Sequence, residues 1–183
     1  MILSKYSKKL SIVTMTYNCI GEIHDYLDAF LKLDRNQFEW IVVDAGSLDG
    51  TAEILREHQH LFYYFISERD GGFYYGLNKA LDQISTPYYM VFGADDRPHP
   101  ELLSNLLPLL NKTDVCMLLG GVEIVPGNKI KLPGPRWMHR FVLGRAVSHH
   151  SVGTVINMQA HKMFGKYDTN YTLVADALLL KKY

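Results

Sequence analysis

The sequence has few cysteines, short apolar runs and no recognisable export signal, and each of these absences excludes a class of protein. Its 183 residues include only Cys19 and Cys116, with no Cys-x-x-Cys pair, so neither a disulfide framework nor a zinc site is indicated. Apolar runs such as residues 88–92 are far shorter than the roughly 20 residues of a membrane-spanning helix. The first residues also lack the apolar stretch and cleavage site of a signal peptide, so we expect a cytoplasmic protein.

The sequence signatures of three phosphate-handling enzyme classes are missing. No Gly-x-x-x-x-Gly-Lys-Ser/Thr sequence occurs, which disfavours a P-loop enzyme, and no Gly-x-Gly-x-x-Gly sequence occurs, which disfavours an ordinary dinucleotide-binding domain. A dehalogenase-type phosphatase requires a second Asp two positions after Asp44, where this chain has Gly46. If the protein acts on phosphates, it therefore uses another kind of site.

Acidic residues are scarce in the last third of the chain. Residues 1–123 contain 10 Lys or Arg and 17 Asp or Glu, whereas residues 124–183 contain 9 and 2. The two parts therefore have formal charges of −7 and +7, although the net charge of the chain is zero. A basic block of this kind is typical of a surface that meets anions; alternatively, its charges face solvent and balance the acidic part.

Apolar residues make up 48% of the chain, enough for one sizeable core, and their spacing alternates between two periods. Four nearly continuous runs predict strands buried on both faces: residues 10–16, 40–44, 62–67 and 88–92. Between and after them, three stretches have an apolar stripe at helical spacing: residues 23–31, 74–84 and 102–110. This order predicts an α/β fold with a mostly parallel sheet, to which the short segments after residue 112 add antiparallel strands.

Polar residues follow each predicted strand, at the edge of the sheet where open α/β folds bind ligands. Asp95 and Asp96 are adjacent there, and Mg²⁺ or Mn²⁺ held by one or two carboxylates plus substrate phosphates would relieve their repulsion. Alternatively, Asp96 begins a turn or caps the next helix. Asp44 ends its strand as a candidate acceptor for a base or ribose, while the glycines and hydroxyls after it are typical of a structural turn.

Taken together, these loops resemble the family 2 glycosyltransferases of the GT-A fold, especially the bacterial subgroup that builds exopolysaccharide and O-antigen repeat units. Four segments carry the resemblance: Ser11–Asn18, Glu39–Thr51, Ser67–Ala80 and Phe92–Asp96. It implies a GT-A, Rossmann-like mixed sheet flanked by helices. It also implies metal-dependent, inverting transfer of a sugar from a nucleoside diphosphate sugar to a glycan or lipid-linked acceptor in cell-surface polysaccharide synthesis. A sugar nucleotidyltransferase is a weaker match, because its Gly-rich, Arg-containing loop after the first strand is absent.

The resemblance also assigns residues to roles. The metal, Mn²⁺ or Mg²⁺, is assigned chiefly to Asp96, and the nucleotide-sugar to Thr14, Tyr17, Asp44, Asp70 and Asp95. Asp176 matches the presumed general base of the family; alternatively, it caps the final helix. Candidate contacts of the acceptor or of phosphate are His149, His150 and Arg136. Two positions depart from the family, since Ala45 replaces a common acid and Arg69 stands where proline is common.

We expect a single domain over residues 1–183, with a nucleotide-binding half at about 1–112 and an acceptor half at about 113–183. Relatives continue beyond the position of Tyr183, so a catalytically inactive fragment that retains nucleotide-sugar binding is the alternative. No nucleic-acid partner is expected. Residues 135–145 place Trp137 beside arginines at helical spacing, which is typical of peripheral contact with the inner face of a membrane, of phosphate or acceptor binding, or of core packing.

Overall fold

The computed structural model describes residues 8–112, 115–125, 127, 129–132 and 151–171, and a six-stranded sheet lies at their centre. Its strands are β1 (Leu10–Thr16), β2 (Phe38–Asp44), β3 (Tyr64–Ser67), β4 (Tyr88–Gly93), β5 (Met117–Leu119) and β8 (Thr154–Asn157). Two further strands, β6 (Val122–Ile124) and β7 (Lys129–Lys131), form a separate antiparallel ribbon.

The sheet has the order β3-β2-β1-β4-β8-β5. Strands β1 to β4 pair in parallel, whereas β8 runs antiparallel to both β4 and β5. The mixed, mostly parallel sheet predicted from the sequence is therefore confirmed, and segments after residue 112 add the antiparallel strands. The chain order reverses beside β1, which has β2 on one side and β4 on the other.

Helices cover both faces of the sheet. They are α1 (Ile23–Leu31), α2 (Thr51–Glu57), α3 (Phe73–Leu81), α4 (Leu102–Leu110) and α5 (Gln159–Phe164). One apolar core packs α1, α2 and α4 against side chains such as Trp40 and Phe92, and the other packs α3 and α5 against side chains such as Val13 and Tyr89. Within the residues described, no helix has the length and apolarity needed to cross a membrane.

Burial along the strands explains their sequence patterns. Every residue of β1 and β2 is buried, because both strands have helices on each face and neighbours on each side. The shorter β3 is only half-buried, since it lies at the edge of the sheet and β2 is its only partner among the described strands. The prediction of a strand buried on both faces is therefore wrong for β3.

Candidate active site

A cleft of about 1190 Å³ lies at the carboxyl ends of β1, β2, β3 and β4. Most of its described lining comes from the residues that end or follow these strands: 15–17, 45–48, 67–70 and 93–95. The strand order reverses beside β1, and open α/β sheets bind ligands at such a point because the loops on the two sides diverge there. The structure thus brings together the loops that the sequence singled out.

Three of the predicted site residues line this cleft. The side chain of Tyr17 is 64% exposed, and Asp95 is exposed as well. Asp70 is half-buried, and its Oδ1 accepts a hydrogen bond from the Gly72 N–H at 2.8 Å. Its Oδ2 is buried and has no hydrogen-bond partner in the described structure. An exposed aromatic ring and two carboxylates therefore surround the opening of the sheet.

The two adjacent aspartates of the fourth loop face different surroundings. Asp95 lines the cleft, whereas the half-buried Asp96 accepts a hydrogen bond from the Gly93 N–H through Oδ2 at 2.8 Å. This bond closes the turn after β4, which is the structural role considered for Asp96. The carboxylate available to a ligand in the cleft is that of Asp95, in contrast to the assignment of the metal chiefly to Asp96.

Thr14 lies in the core instead of the cleft. Its side chain is fully buried, because it points to the face of β1 that packs against α1. Its Oγ1 lies 2.6 Å from the hydroxyl of Tyr26 and accepts a hydrogen bond from the indole N–H of Trp40 at 2.8 Å. The expected contact between the Thr14 side chain and a nucleoside is therefore not compatible with this geometry.

Asp44 organises the cleft from beneath its surface. Its carboxylate is fully buried and does not belong to the cleft lining. Both oxygens accept hydrogen bonds, from the hydroxyls of Thr16, Ser47 and Ser67 and from the N–H groups of Gly46 and Ser47. These donors come from the ends of three adjacent strands, so Asp44 holds the loops together, and its two oxygens already accept five hydrogen bonds.

Arg97 is a positioning residue that the sequence analysis did not identify. Its guanidinium donates to the carbonyl oxygens of Ala94 at 2.7 Å and Asp96 at 2.9 Å, and to that of Glu22 at 3.2 Å. It also lies 5.8 Å from the ring centre of Tyr26. These contacts tie the loop that carries Asp95 to α1. A basic residue directly after two aspartates was the available signal.

The described lining of the cleft is predominantly acidic. It contains five acidic side chains, Glu22, Glu53, Glu68, Asp70 and Asp95, and two basic ones, Arg56 and Arg69. The guanidinium of Arg56 is already paired with Glu53 at 3.1 Å. A diphosphate would therefore meet net negative charge unless a cation accompanied it.

The carboxylates of the cleft fit a hard divalent cation whose other ligands come from a bound substrate and water. The described residues contain no group of three or more side chains arranged to hold a metal by themselves. Mg²⁺ and related ions in phosphate-transfer sites are commonly held by one or two carboxylates, while phosphates and water complete the coordination. The exposed carboxylate of Asp95 meets that requirement.

The remaining sequence-based assignments lie outside the described residues. These are the general base Asp176, the acceptor or phosphate contacts His149, His150 and Arg136, and the basic segment 135–145.

Comparison with known proteins identifies the family of this domain. Residues 11–167 match the family described as Glycosyl transferase family 2. The chain belongs to this family. The match covers the four strands that line the cleft except Leu10, the first residue of β1, so the expected family is confirmed.

Individual relatives agree with this family 2 assignment. An uncharacterized glycosyltransferase of Mycobacterium tuberculosis is 26% identical over 172 residues, which cover 91% of this chain and 65% of the relative. TuaG of Bacillus subtilis, named for teichuronic acid biosynthesis, is 23% identical over 126 residues, covering 67% of this chain and 50% of TuaG. The chain thus spans about two thirds or less of these relatives.

The same fold occurs in solved glycosyltransferase structures. The crystal structure of S. aureus TarS superposes with a TM-score of 0.74 at 20% identity, covering 95% of this chain and 54% of TarS. The mannosyltransferase PcManGT of Pyrobaculum calidifontis, solved with GDP-Man and Mn²⁺, gives a TM-score of 0.63 at 22% identity and covers 91% of this chain and 49% of that enzyme. The predicted GT-A fold is thereby confirmed.

Proposed function

We propose that this family 2 domain transfers a sugar, with inversion, from a nucleoside diphosphate sugar to a hydroxyl of a glycan or lipid-linked acceptor during cell-surface polysaccharide synthesis. The observation that carries the proposal is the cleft at the point where the strand order reverses beside β1, with Tyr17 and Asp95 exposed in it. Donor use by proteins of the same fold supports it, since TarS has been solved with UDP-GlcNAc and PcManGT with GDP-Man.

The strand order suggests how the donor lies in the cleft. The diphosphate lies near the end of β4, where Asp95 provides a place for the accompanying cation. The nucleoside then extends across β1 towards the ends of β2 and β3. Tyr17, at the end of β1, offers an exposed ring on which the base can stack.

In this proposal Asp95 would hold Mn²⁺ or Mg²⁺, with the donor diphosphate supplying further oxygen ligands. When bound, the cation neutralises charge that develops on the departing diphosphate. Asp96 and Arg97 keep Asp95 in position, because they fix the turn after β4 through Gly93 and Ala94. Asp70 is proposed as an acceptor for donor hydroxyl groups, since its carboxylate lies in the same lining.

The acceptor side depends on residues outside the described part of the chain. Asp176 is proposed to take the proton from the attacking hydroxyl, with capping of a helix as its structural alternative. His149, His150 and Arg136 are proposed to contact the acceptor or phosphate. Contact of residues 135–145 with the inner face of the membrane stays a prediction, which sedimentation with anionic vesicles at low and physiological salt would test.

The proposal is tested with the purified chain by isothermal titration with nucleoside diphosphates, in the presence and absence of Mn²⁺. Release of nucleoside diphosphate is then measured for a panel of donor sugars. We expect Mn²⁺-dependent binding and donor-dependent release. Binding without release would indicate a nucleotide-sugar-binding domain without turnover, and the absence of binding by every nucleotide would contradict the proposal.

A further inference from the structure

Arg69 is a basic residue of the cleft whose side chain has no partner among the described residues. Its side chain is exposed and lines the cleft directly after β3. Unlike Arg56, which pairs with Glu53, it makes no hydrogen bond or ion pair with any residue that the structure describes. A guanidinium presents five N–H donors in a planar fork and accepts no hydrogen bonds. Arg69 therefore offers donors, and only donors, to whatever occupies this end of the cleft.

Ala45 lies beside Arg69 at the ends of β2 and β3. Asp44 pairs with Ser67 across the two strands, and the Glu68 N–H donates to the Asp44 carbonyl oxygen at 3.1 Å. The packing is close enough that a Cβ on Gly46 would lie 2.8 Å from the backbone nitrogen of Arg69. The alanine methyl group contributes no polar atom here.

The carboxylates next to Arg69 do not pair with its guanidinium. Glu68 forms an ion pair with Lys79 at 2.7 Å, and Asp70 Oδ1 accepts the hydrogen bond from Gly72. The hydroxyl of Ser67 donates to Asp44 at 2.8 Å. The guanidinium of Arg69 is thus left as a hydrogen-bond donor at this end of the cleft, although the cleft as a whole is acidic.

The position of Arg69 in the sheet favours contact with a base over contact with the diphosphate. Strand β3 is three positions from β4 in the sheet order, which corresponds to about 14 Å at the usual strand spacing. This step rests on the proposed function, in which the diphosphate lies near Asp95 at the end of β4. The opposite end of an extended nucleoside diphosphate then lies at Ala45 and Arg69.

We infer that Arg69, with Ala45 beside it, selects a nucleobase whose edge presents two adjacent hydrogen-bond acceptors, as guanine and cytosine do. Guanine presents O6 and N7 to an arginine fork. Cytosine shares this chemistry through N3 and O2. Uracil places an N–H donor between its two carbonyl oxygens, and adenine places an amino group beside N7, so each can pair with only one arm of the fork.

The test compares dissociation constants of GDP, CDP, UDP and ADP, each with Mn²⁺, for the wild type and four variants. The wild type is expected to bind GDP or CDP about 5- to 150-fold more tightly than UDP and ADP, the range of a bidentate arginine contact. Arg69→Ala and Arg69→Lys should abolish this preference, because lysine keeps the charge but not the planar fork. Ala45→Asp should strengthen UDP binding relative to GDP, because it adds an acceptor for the uracil N–H.

Arg56→Ala is the matched control, since it removes the same charge from another part of the cleft lining and should change binding of all four nucleotides by one common factor. Tightest binding of GDP would identify the selected base as guanine, and tightest binding of CDP would identify it as cytosine. Tightest binding of UDP or ADP, or an equal loss for all four nucleotides in Arg69→Ala, would overturn the inference. Absence of binding by all four nucleotides would overturn the proposed function itself, and this inference with it.

Discussion

Asn78 binds the backbone of Tyr167 through both ends of its side-chain amide. Its Nδ2 donates to the Tyr167 carbonyl oxygen at 2.9 Å, and its Oδ1 accepts from the Tyr167 N–H at 3.0 Å. The ring of Tyr167 is buried beside Tyr74, with ring centres 5.5 Å apart. The amide therefore joins α3, which begins at the edge of the cleft, to the segment that follows α5.

Replacement of Asn78 by alanine should lower the free energy of unfolding by about 1–3 kcal/mol, because two backbone groups lose their partners. Denaturant unfolding of Asn78→Ala and Asn78→Asp measures the effect, and aspartate should not restore it, since a carboxylate cannot donate to the Tyr167 carbonyl. Asn105→Ala, at an exposed position of α4, is the control for the change in helix propensity. Equal stability of Asn78→Ala and Asn105→Ala would contradict the proposed bridge.

The strands of the sheet could be predicted because a strand buried on both faces consists of nearly continuous apolar residues. The apolar run in β1 predicted its bounds, and the run in β2 missed only its first two residues. The run around β3 was longer than the strand itself, because Phe62 packs against the core without pairing in the sheet. Apolar runs report burial, and burial is not limited to strands.

The cleft could be located from the sequence, but the direction of its side chains could not. Thr14 and Tyr17 are three residues apart, but Thr14 lies within β1 beneath α1 and is buried, whereas Tyr17 follows the end of β1 and is exposed. Likewise, Asp95 and Asp96 are equivalent by spacing, and the turn closed by Gly93 distinguishes them. The contact between Asn78 and Tyr167 spans 89 residues, so no local pattern could predict it.

The turn after β2 requires glycine at position 46. Gly46 has φ of +78°, and a Cβ there would lie 2.8 Å from the nitrogen and 3.0 Å from the Cα of Arg69. Gly46→Ala should therefore lower the free energy of unfolding by about 2–4 kcal/mol, through left-handed backbone strain and overpacking against a neighbouring backbone. Thermal and denaturant unfolding provide the measurement.

Two other glycines separate the contributions of strain and overpacking. Gly72 has φ of +119° and ψ of −178°, but a Cβ there would have no neighbour within 4 Å, so Gly72→Ala should cost about 1–3 kcal/mol from strain alone. Gly21 lacks a left-handed φ, and a Cβ there would have no neighbour within 4 Å, so Gly21→Ala should change stability by less than about 0.5 kcal/mol. If Gly46→Ala lost no more unfolding free energy than Gly72→Ala, close packing against the Arg69 backbone would not contribute to the need for glycine at position 46.

His161 links α5 to the sheet through a chain of hydrogen bonds. Its Nδ1 lies 3.0 Å from the Gly165 carbonyl oxygen and must donate, so the neutral ring accepts from the Tyr89 hydroxyl at Nε2, 2.7 Å away. The hydroxyl of Tyr167 lies 2.5 Å from that of Tyr89 and continues the chain. Protonation of Nε2 would remove the acceptor that Tyr89 uses.

Burial, with a further contribution from the charge of Lys166, lowers the pKa of His161 below its ordinary value. The unfolded chain therefore binds this proton more readily, and the stability that neutral His161 contributes is lost as the pH falls through about 6.5 towards the native pKa. The free energy of unfolding should decrease between pH 7.5 and pH 5.5, and this decrease should be larger for the wild type than for His161→Gln. His24→Gln, at an exposed position of α1, should leave the wild-type decrease unchanged. Identical pH dependence of the wild type and His161→Gln would contradict this role.

The assignment of the cation to Asp95 and of the turn to Asp96 can be tested with a pair of matched variants. Asp95→Asn removes the charge that lines the cleft and should weaken Mn²⁺-dependent binding of nucleoside diphosphate by about tenfold or more, with little change in stability. Asp96→Asn retains an oxygen that can accept from the Gly93 N–H, so its affinity for nucleotide should stay within about threefold of the wild-type value. Asp96→Ala loses this acceptor, and its free energy of unfolding should fall by about 1 kcal/mol. Isothermal titration and denaturant unfolding give both quantities. If Asp96→Asn lost Mn²⁺-dependent binding while Asp95→Asn retained it, the metal would belong to Asp96, as the sequence alone indicated.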